Sequence, residues 1–492
     1  MESLTPLVLL LAAAVAWGGC GPGFVLPDPP PRADGPDAPK ATNPKSLVLI
    51  SVDTLRADHL SAYGYARETS PRVDALAAEG VLFERAFSQS PKTASSHMSL
   101  MTGLYPEAHG VENYGEGGGM RMSAQIPTLA TLLQRAGYRT FAFTGGGNVT
   151  GRFGFDQGFE IYENALGVER AFRLGTEAVE ALSRAGRGES AAPFFLFLHT
   201  YAVHDPYTPP ARYAAPFVDP GYDGKIIRSG FLLRLITFST QWRSRHKAFW
   251  ERVDRGNEQD RRHLVDLYDG TIRYTDDQIG KFLSRFEELG LDKEAVVVFL
   301  SDHGEEFYEH KGFLHDCVYQ EVLHVPLIIR FPAGEPGKHS GRRSPEVARL
   351  VDVMPTILEY VGLPIPEDLQ GRSLLPLLLG EESTPRPVLS QWRWRKTAVL
   401  QDRGWKYIRG RDKDELYDLA ADPGEKRNLA SREPDRGRVL REEIEALLAE
   451  SQSLHDTFHP GGKVEPDART LRDLKALGYV GGDGSPAPGR GQ

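Results

Sequence analysis

Two runs of one design constrain the chain more than any other feature. Lys45-Ser-Leu-Val-Leu-Ile-Ser-Val-Asp53 and Ala295-Val-Val-Val-Phe-Leu-Ser-Asp302-His303-Gly304 are each apolar for the length of a strand, and each ends in a metal-binding type of side chain. Continuous apolar runs of this length mark strands buried on both faces of a parallel sheet. In such sheets ligands bind beyond the carboxyl ends of the strands. Asp53, Asp302 and His303 therefore stand where a metal ion would be held. Neighbouring residues on a strand point to opposite faces, so Asp302 and His303 reach one ion only where the strand has ended and the chain bends, a bend expected at Gly304. Taken alone, Asp53 serves equally well as the cap of a short helix over Leu55 to Leu60.

Between and beyond these runs, helical and strand patterns alternate. Pro71 to Gly80 reads as a helix, Val81 to Phe87 as a strand, Ile126 to Ala136 as a helix, Tyr138 to Phe143 as a strand and Val168 to Ala185 as a helix. The strand Phe194-Phe-Leu-Phe-Leu delivers His199 and His204, the latter beside Asp205. A long helix is predicted over Leu264 to Leu289, a strand from Val325 to Arg330, and a helix from Val347 to Gly362 with Pro355 near its middle. The pattern predicts an α/β fold: a doubly wound, mixed but mostly parallel sheet flanked by helices. Past residue 380 the texture changes. A hairpin turning at Asp402 to Gly404, a strand at Glu415-Leu-Tyr-Asp-Leu and a helix from Arg438 to Ser451 predict a smaller C-terminal α+β domain. The division expected is a catalytic domain over 46–380, the smaller domain over 381–455 and a tail over 456–492, its last dozen residues Gly- and Pro-rich and expected to be disordered.

The segment Ser88 to Gly110 carries the candidate nucleophile. Thr93 lies in a run of small polar residues just before Met98, Leu100 and Met101 begin a helical pattern. A hydroxyl at a helix N-terminus sits beside backbone N–H groups that cradle a phosphate or sulfate; the competing role for such a Thr is helix capping. Lys92 and His97 are candidate contacts for the anion. After Asp302 come Glu305, Glu306, Glu309, His310 and His315, a dense set of ligand-type side chains. The formal charge of −9 argues against a nucleic-acid binder, so attraction for an anionic substrate must be local.

Residues 6–19 form an apolar run ending in small residues, which reads as a secretory leader over 1–20, followed at once by Cys20 as in a bacterial lipoprotein. Residues 21–45, rich in Pro, Asp and Gly, suit an extended tether. The expected place is therefore outside the cytoplasm, in the periplasm or cell envelope, anchored to the membrane through lipid on Cys20. The second cysteine, Cys317, has no partner for a disulfide in the mature chain. An insertion over 225–262 mixes aromatic and aliphatic residues with Arg and Lys. It reads either as a basic amphipathic cover for the site or a membrane surface, or as a helical pair with a solvated basic face.

Several stretches together, in order, resemble the sulfatase family of the alkaline phosphatase superfamily: Val52-Asp-Thr-Leu-Arg-Ala-Asp58, Leu100-Met-Thr-Gly-Leu-Tyr-Pro106, Ser301-Asp-His-Gly-Glu-Glu306, Gly371-Arg-Ser-Leu-Leu-Pro376 and Glu415 to Ala430. The resemblance implies a doubly wound sheet with a smaller C-terminal domain, and metal-assisted in-line attack on a sulfate or phosphate ester. The family's Cys-x-Pro-Ser-Arg segment, whose first residue becomes formylglycine, reads Thr93-Ala-Ser-Ser-His97 here, and Thr is not a substrate for that conversion. Thr54 replaces an expected second Asp, and His315 an expected Lys. These replacements are similar to the Thr-nucleophile branch, in particular phosphoethanolamine transferases. There a His five residues after another His, as in His199 and His204, and a His thirteen after the metal Asp, as in Asp302 and His315, complete the site; the Pro usual two residues after the Thr is Ser95.

The resemblance implies a divalent ion on Asp53, Thr93, Asp302 and His303, with zinc or manganese favoured over calcium by the imidazole. Thr93 would be the nucleophile, with His204 and His315 binding the anion, protonating the leaving oxygen or holding a second ion. His199, Lys92 and His97 would be substrate contacts. The substrate would be an anionic ester of a lipid, glycan or small molecule. The alternatives are a sulfuric ester hydrolase working without formylglycine, and a catalytically silent metal-binding lipoprotein.

Overall fold

The computed structural model describes residues 24–28, 39–114, 119–164, 166–186, 192–226, 246, 249–332, 341–381, 385–393, 397–410, 413–459, 461–477 and 479–480. The leader, Cys20, most of the tether, residues 227–245 of the insertion and the last twelve residues lie outside that set.

The apolar runs form the strands β1 (Ser46–Val52), β2 (Val81–Phe87), β3 (Arg139–Phe143), β4 (Ile161–Glu163), β5 (Phe194–Thr200), β6 (Ala295–Leu300), β7 (His324–Val325), β8 (Leu327–Arg330) and β9 (Arg342–Arg349). They make one nine-stranded sheet in the order β7-β2-β8-β6-β1-β5-β3-β4, with β9 pairing β2. β1 lies parallel between β5 and β6, and β3 lies parallel between β5 and β4. β8 is antiparallel to both β6 and β2, so β2 runs the same way as β6. The carboxyl ends of β1, β2, β3, β5 and β6 thus share one edge.

Period-two alternation sends the side chains of β1 into two cores. Val48, Ile50 and Val52 pack with Leu267, Ile272 and Phe282 of the long helix Glu258–Glu288 and with Phe172 and Val179 of Val168–Ala185. Leu47 and Leu49 face Met98, Leu100 and Met101 of Thr93–Thr102, and Ile357 and Leu358 of Val353–Tyr360. Helices on both faces of a mostly parallel sheet are the doubly wound α/β fold.

A four-stranded antiparallel sheet, β10 (Val388–Trp392), β11 (Thr397–Asp402), β12 (Trp405–Arg409) and β13 (Glu415–Asp418), forms the smaller C-terminal part, with the helix Pro434–Phe458 beside it. Its hairpin turns through Arg403 and Gly404, both at positive φ, as a two-residue turn matched to strand twist requires.

Some expectations need correction. The helix expected over Val347 to Gly362 is the end of β9 followed by a shorter helix from Val353, which places Pro355 in a first turn where its missing N–H costs nothing. The run Val325 to Arg330 is split at Pro326 into two strands. Within the tether, Phe24 packs edge-on against Phe141 and Phe143, at 6.4 and 6.0 Å between ring centroids. The stretch read as a tail from residue 456 is built into the fold. Lys463–Val464 pairs with Gly119–Met120, and Ala468–Ala476 is a helix. Among the described residues, no helix is long and apolar enough to cross a membrane.

Candidate active site

The shared sheet edge collects the chemistry. β1 ends at Asp53, β6 leads to Asp302 and His303, β5 carries His199 and leads to His204, and β2 feeds the helix Thr93–Thr102. Asp53, Thr93, Asp302 and His303 are all fully buried. Asp53, Asp302 and His303 offer ligand atoms that lie within 4.8 Å of one another.

The helix begins at Thr93 itself, and its N-cap residue, Lys92, makes no side-chain cap bond. The Thr93 hydroxyl is therefore not spent on capping. Its Oγ1 lies 3.3 Å from His303 Nε2 and 3.1 Å from Tyr479 Oη. The Ala94 N–H in this first turn donates to Asn113 Oδ1 at 2.8 Å. The alternative for Asp53, capping a helix, fails as well: the expected helix is two three-residue turns, Ala57–His59 and Ser61–Tyr63, and the residue before the first is Arg56, not Asp53.

The His303 ring Nδ1 lies 3.0 Å from the Gly304 carbonyl and donates to it, so the Nε2 lone pair faces Thr93 and Asp302. Gly304 is not in a left-handed conformation. It is required because a Cβ there would lie 2.1 Å from the Glu321 carbonyl oxygen. Asp302 Oδ1 accepts the N–H of Thr54, which is held at φ 59. The substitution of Thr54 for an acidic residue thus leaves a backbone donor, not a side chain, at the site.

Among the described residues, neither Asp53 oxygen nor Asp302 Oδ2 accepts a hydrogen bond. Burial raises the Asp302 carboxyl far above its usual range, and the neighbouring Asp53 charge raises it further. Burial also opposes ionisation of Asp53, but the nearby His199 ring N–H and the fields of His303 and His204 hold it at about 2. Two buried carboxylates with bare oxygens and one imidazole lone pair are a donor set that a divalent cation fits.

The other candidates fall into two groups. His204 and His315 lie beside His303: their rings are 5.5 Å apart, and that of His315 is 4.5 Å from His303. Burial disfavours a charge on His204, but Asp205, 3.1 Å from its Nδ1, overcomes this and raises its pKa to about 9. Asp205 is itself held by Trp250 Nε1 at 2.8 Å and His246 at 2.6 Å, so the described part of the insertion braces this pair. Lys92 is tied to Asp316 at 2.5 Å and lies over the Trp392 ring.

His97 and His199 stand behind the site. His97 Nδ1 donates to the Thr93 carbonyl at 2.9 Å and Nε2 accepts from Ser51 Oγ at 2.9 Å, while burial lowers its pKa to about 3. The ring is neutral and offers no nitrogen to an anion. His199 Nδ1 accepts the Gly145 N–H, which leaves its Nε2–H facing Asp53 Oδ2 at 3.7 Å. Both residues are placed to position Thr93 and Asp53. Of the dense loop after Asp302, Glu309 pairs with Arg56, His310 with Glu321, and Glu306 takes the N–H groups of His310 and Gly312.

Tyr479 is the residue that sequence reasoning missed. Its Oη is also 3.3 Å from His204 Nε2. The available signal was the apolar spacing of Leu471, Leu474 and Leu477 just before it, which marks a packed helix rather than a loose end.

With this geometry in place, the comparisons decide the family. The sulfatase profile matches residues 45–363, and a profile described as N-sulphoglucosamine sulphohydrolase, C-terminal, matches residues 308–453. The chain belongs to the sulfatase family. It is accordingly a sulfatase-like hydrolase of the alkaline phosphatase superfamily, in a family that typically binds a divalent metal. An arylsulfatase of Clostridium perfringens is 23% identical over 85% of this chain and 97% of its own length. An N-acetylglucosamine-6-O-sulfatase of Bacteroides thetaiotaomicron is 22% identical over 94% of this chain and 93% of its own. Among solved structures, the phosphonate monoester hydrolase of Agrobacterium radiobacter superposes with a TM-score of 0.65 at 23% identity, over 83% of this chain and 96% of that one.

Proposed function

We propose that this member of the family cleaves a phosphate or sulfate ester by in-line attack of the unmodified Thr93 hydroxyl. The observation that carries the reading is the Thr93 Oγ1 itself, free of any capping role and 3.3 Å from His303 Nε2 above two uncompensated carboxylates. Asp53, Asp302, His303 and Thr93 would hold one divalent ion, zinc or manganese before calcium because an imidazole is among the ligands. When bound, that ion supplies the positive charge that lowers the Thr93 hydroxyl pKa and offsets charge on the transferring oxygens.

Thr93 Oγ1, ionised, attacks phosphorus or sulfur as the bond to the leaving oxygen breaks. His204, kept charged by Asp205, gives that oxygen its proton. The product is an ester on Thr93. Water or an acceptor hydroxyl then attacks it, returning a proton to His204 and freeing Thr93. His315 and Lys92 border the anion.

The relatives' names favour sulfate esters of sugars, with a 6-O-sulfatase among them, whereas Thr at the nucleophile position favours a phosphate diester. Turnover of bis(4-nitrophenyl) phosphate and 4-nitrophenyl sulfate by the metal-loaded protein separates the two. Faster diester hydrolysis is expected, sulfate-only turnover moves the assignment to a sulfatase without formylglycine, and no turnover of either leaves a metal-binding protein. Export and anchoring at Cys20 belong to the same proposal and rest on the leader sequence. Fatty-acid labelling lost in Cys20→Ala is the expected result; retained labelling contradicts it.

A further inference from the structure

Among the described residues, Thr93 Oγ1 is reached by one side chain from outside the strand ends and helix that build the site. The segment from Gly461 to Val480 crosses back over the catalytic domain and is fixed at several points. Lys463–Val464 adds to the Gly119–Met120 strand, and Gly461 passes so close that a Cβ there would lie 1.6 Å from the Arg121 carbonyl oxygen. Asp467 caps the helix Ala468–Ala476 through the Thr470 N–H and pairs with Arg152 at 2.7 Å. Arg469 donates to the Asn164 carbonyl at 2.8 Å, and Leu474 is fully buried. Leu477 sits over the glycine loop after β3: a Cβ on Gly147, itself at φ +57, would come within 2.5 Å of Leu477 Cδ1. The Tyr479 N–H then bonds the Leu474 carbonyl at 2.9 Å, closing the turn that aims the ring at the site.

We propose that Tyr479 is a catalytic residue: its hydroxyl donates a hydrogen bond to a non-bridging oxygen of the group transferred to Thr93, which makes the C-terminal segment part of the active site. The inference rests on the reading of Thr93 as the nucleophile. Oη stands 3.1 Å from Thr93 Oγ1 and 3.3 Å from His204 Nε2, between the attacking atom and the charged imidazole. A charged imidazole only donates, so Oη accepts from His204 and its own hydrogen turns toward Thr93. A tetrahedral group arriving in line with Oγ1 brings a non-bridging oxygen into reach of that same O–H, and the His204 N–H then turns from Oη to the leaving oxygen. No proton leaves Tyr479. The donor is prearranged before the ester binds, as electrostatic stabilisation of an oxyanion requires.

The test compares native protein with Tyr479→Phe, Gly147→Ala and Thr93→Ala, on bis(4-nitrophenyl) phosphate and 4-nitrophenyl sulfate. Loss of one such donor lowers kcat by about 100-fold, with KM and melting temperature close to native. Gly147→Ala, whose Cβ would meet both Leu477 Cδ1 and the Tyr201 ring without touching Tyr479, lowers kcat in the same direction. Tyr479→Phe with native or higher kcat overturns the inference, and a higher value identifies the segment as a plug over the nucleophile. Thr93→Ala tells the two levels apart. If it is inactive while Tyr479→Phe is fully active, only the role of Tyr479 fails; if it keeps activity, the Thr93 reading fails and this inference with it.

Discussion

The C-terminal sheet region and the edge of the central sheet both bury charged side chains, and they do so in opposite ways. In the C-terminal sheet, Lys406 and Glu425 face each other at 2.6 Å with no side-chain exposure, and the second Glu425 oxygen takes the Gln320 N–H at 2.7 Å. At the edge of the central sheet, Asp53 and Asp302 are brought together with like charge and bare oxygens. The first arrangement sets opposite charges against each other within the chain and is architecture. The second sets carboxyl groups side by side with oxygens that accept no hydrogen bond among the described residues, a donor set that a divalent cation fits.

The contrast is broken most sharply at Asp302. Asp302→Asn is expected to lower activity more than about a thousandfold, since it removes a proposed ligand of the proposed divalent ion. The same change relieves a buried carboxyl that the fold pushes upward, so the metal-free variant should melt at or above the temperature of the metal-free native protein. It should also lack the rise in melting temperature that zinc or manganese gives the native chain. A calorimetric scan with and without metal checks both statements.

Lys406→Met should do the reverse. Stranding Glu425 without its partner costs about 3–5 kcal/mol of stability, read by denaturant unfolding, while kcat per folded molecule stays native. Should Lys406→Met leave stability unchanged, or Asp302→Asn destabilise the metal-free protein, the distinction between the two regions would not hold.

A smaller effect sharpens the comparison at His204, the imidazole that Asp205 holds charged. Its pKa in the fold, about 9, lies above its ordinary 6.5, so its pairing with Asp205 contributes fully to stability below about pH 6.5 and is lost as the pH rises through about 9. As the proton donor to the leaving oxygen it should give kcat an alkaline limb near pH 9. An activated ester, whose leaving group needs no proton, should show a shallower limb than an alkyl ester.

Much of this was legible in the sequence because it is written in local patterns. Asp53, Asp302 and His303 end apolar runs, and parallel strands have only one edge at which to present such ends. The placement of Thr93 followed from the small polar run before a helix. What was not legible depends on the chain returning to itself. Tyr479 lies 386 residues from Thr93, and its immediate neighbours Leu477, Gly478 and Val480 are not of a catalytic or metal-binding type. The roles of His97 and His199 depend on which ring nitrogen meets Ser51 or Gly145, which spacing does not carry. Gly304 was correctly singled out for the wrong reason, since close approach to Glu321 is a tertiary fact. The helix expected across Pro355 was misread because an apolar run with helical spacing also fits the end of a buried strand.

The claim on which the rest depends is covalent attachment to Thr93. Metal-loaded protein incubated with a slow phosphodiester, and separately with an aryl sulfate, then quenched in acid and digested, exposes the peptide carrying Thr93 to mass analysis. The account predicts a phospho- or sulfo-ester on Thr93, absent in Thr93→Ala. Turnover that proceeds with no adduct on that peptide, and that survives in Thr93→Ala, would contradict it.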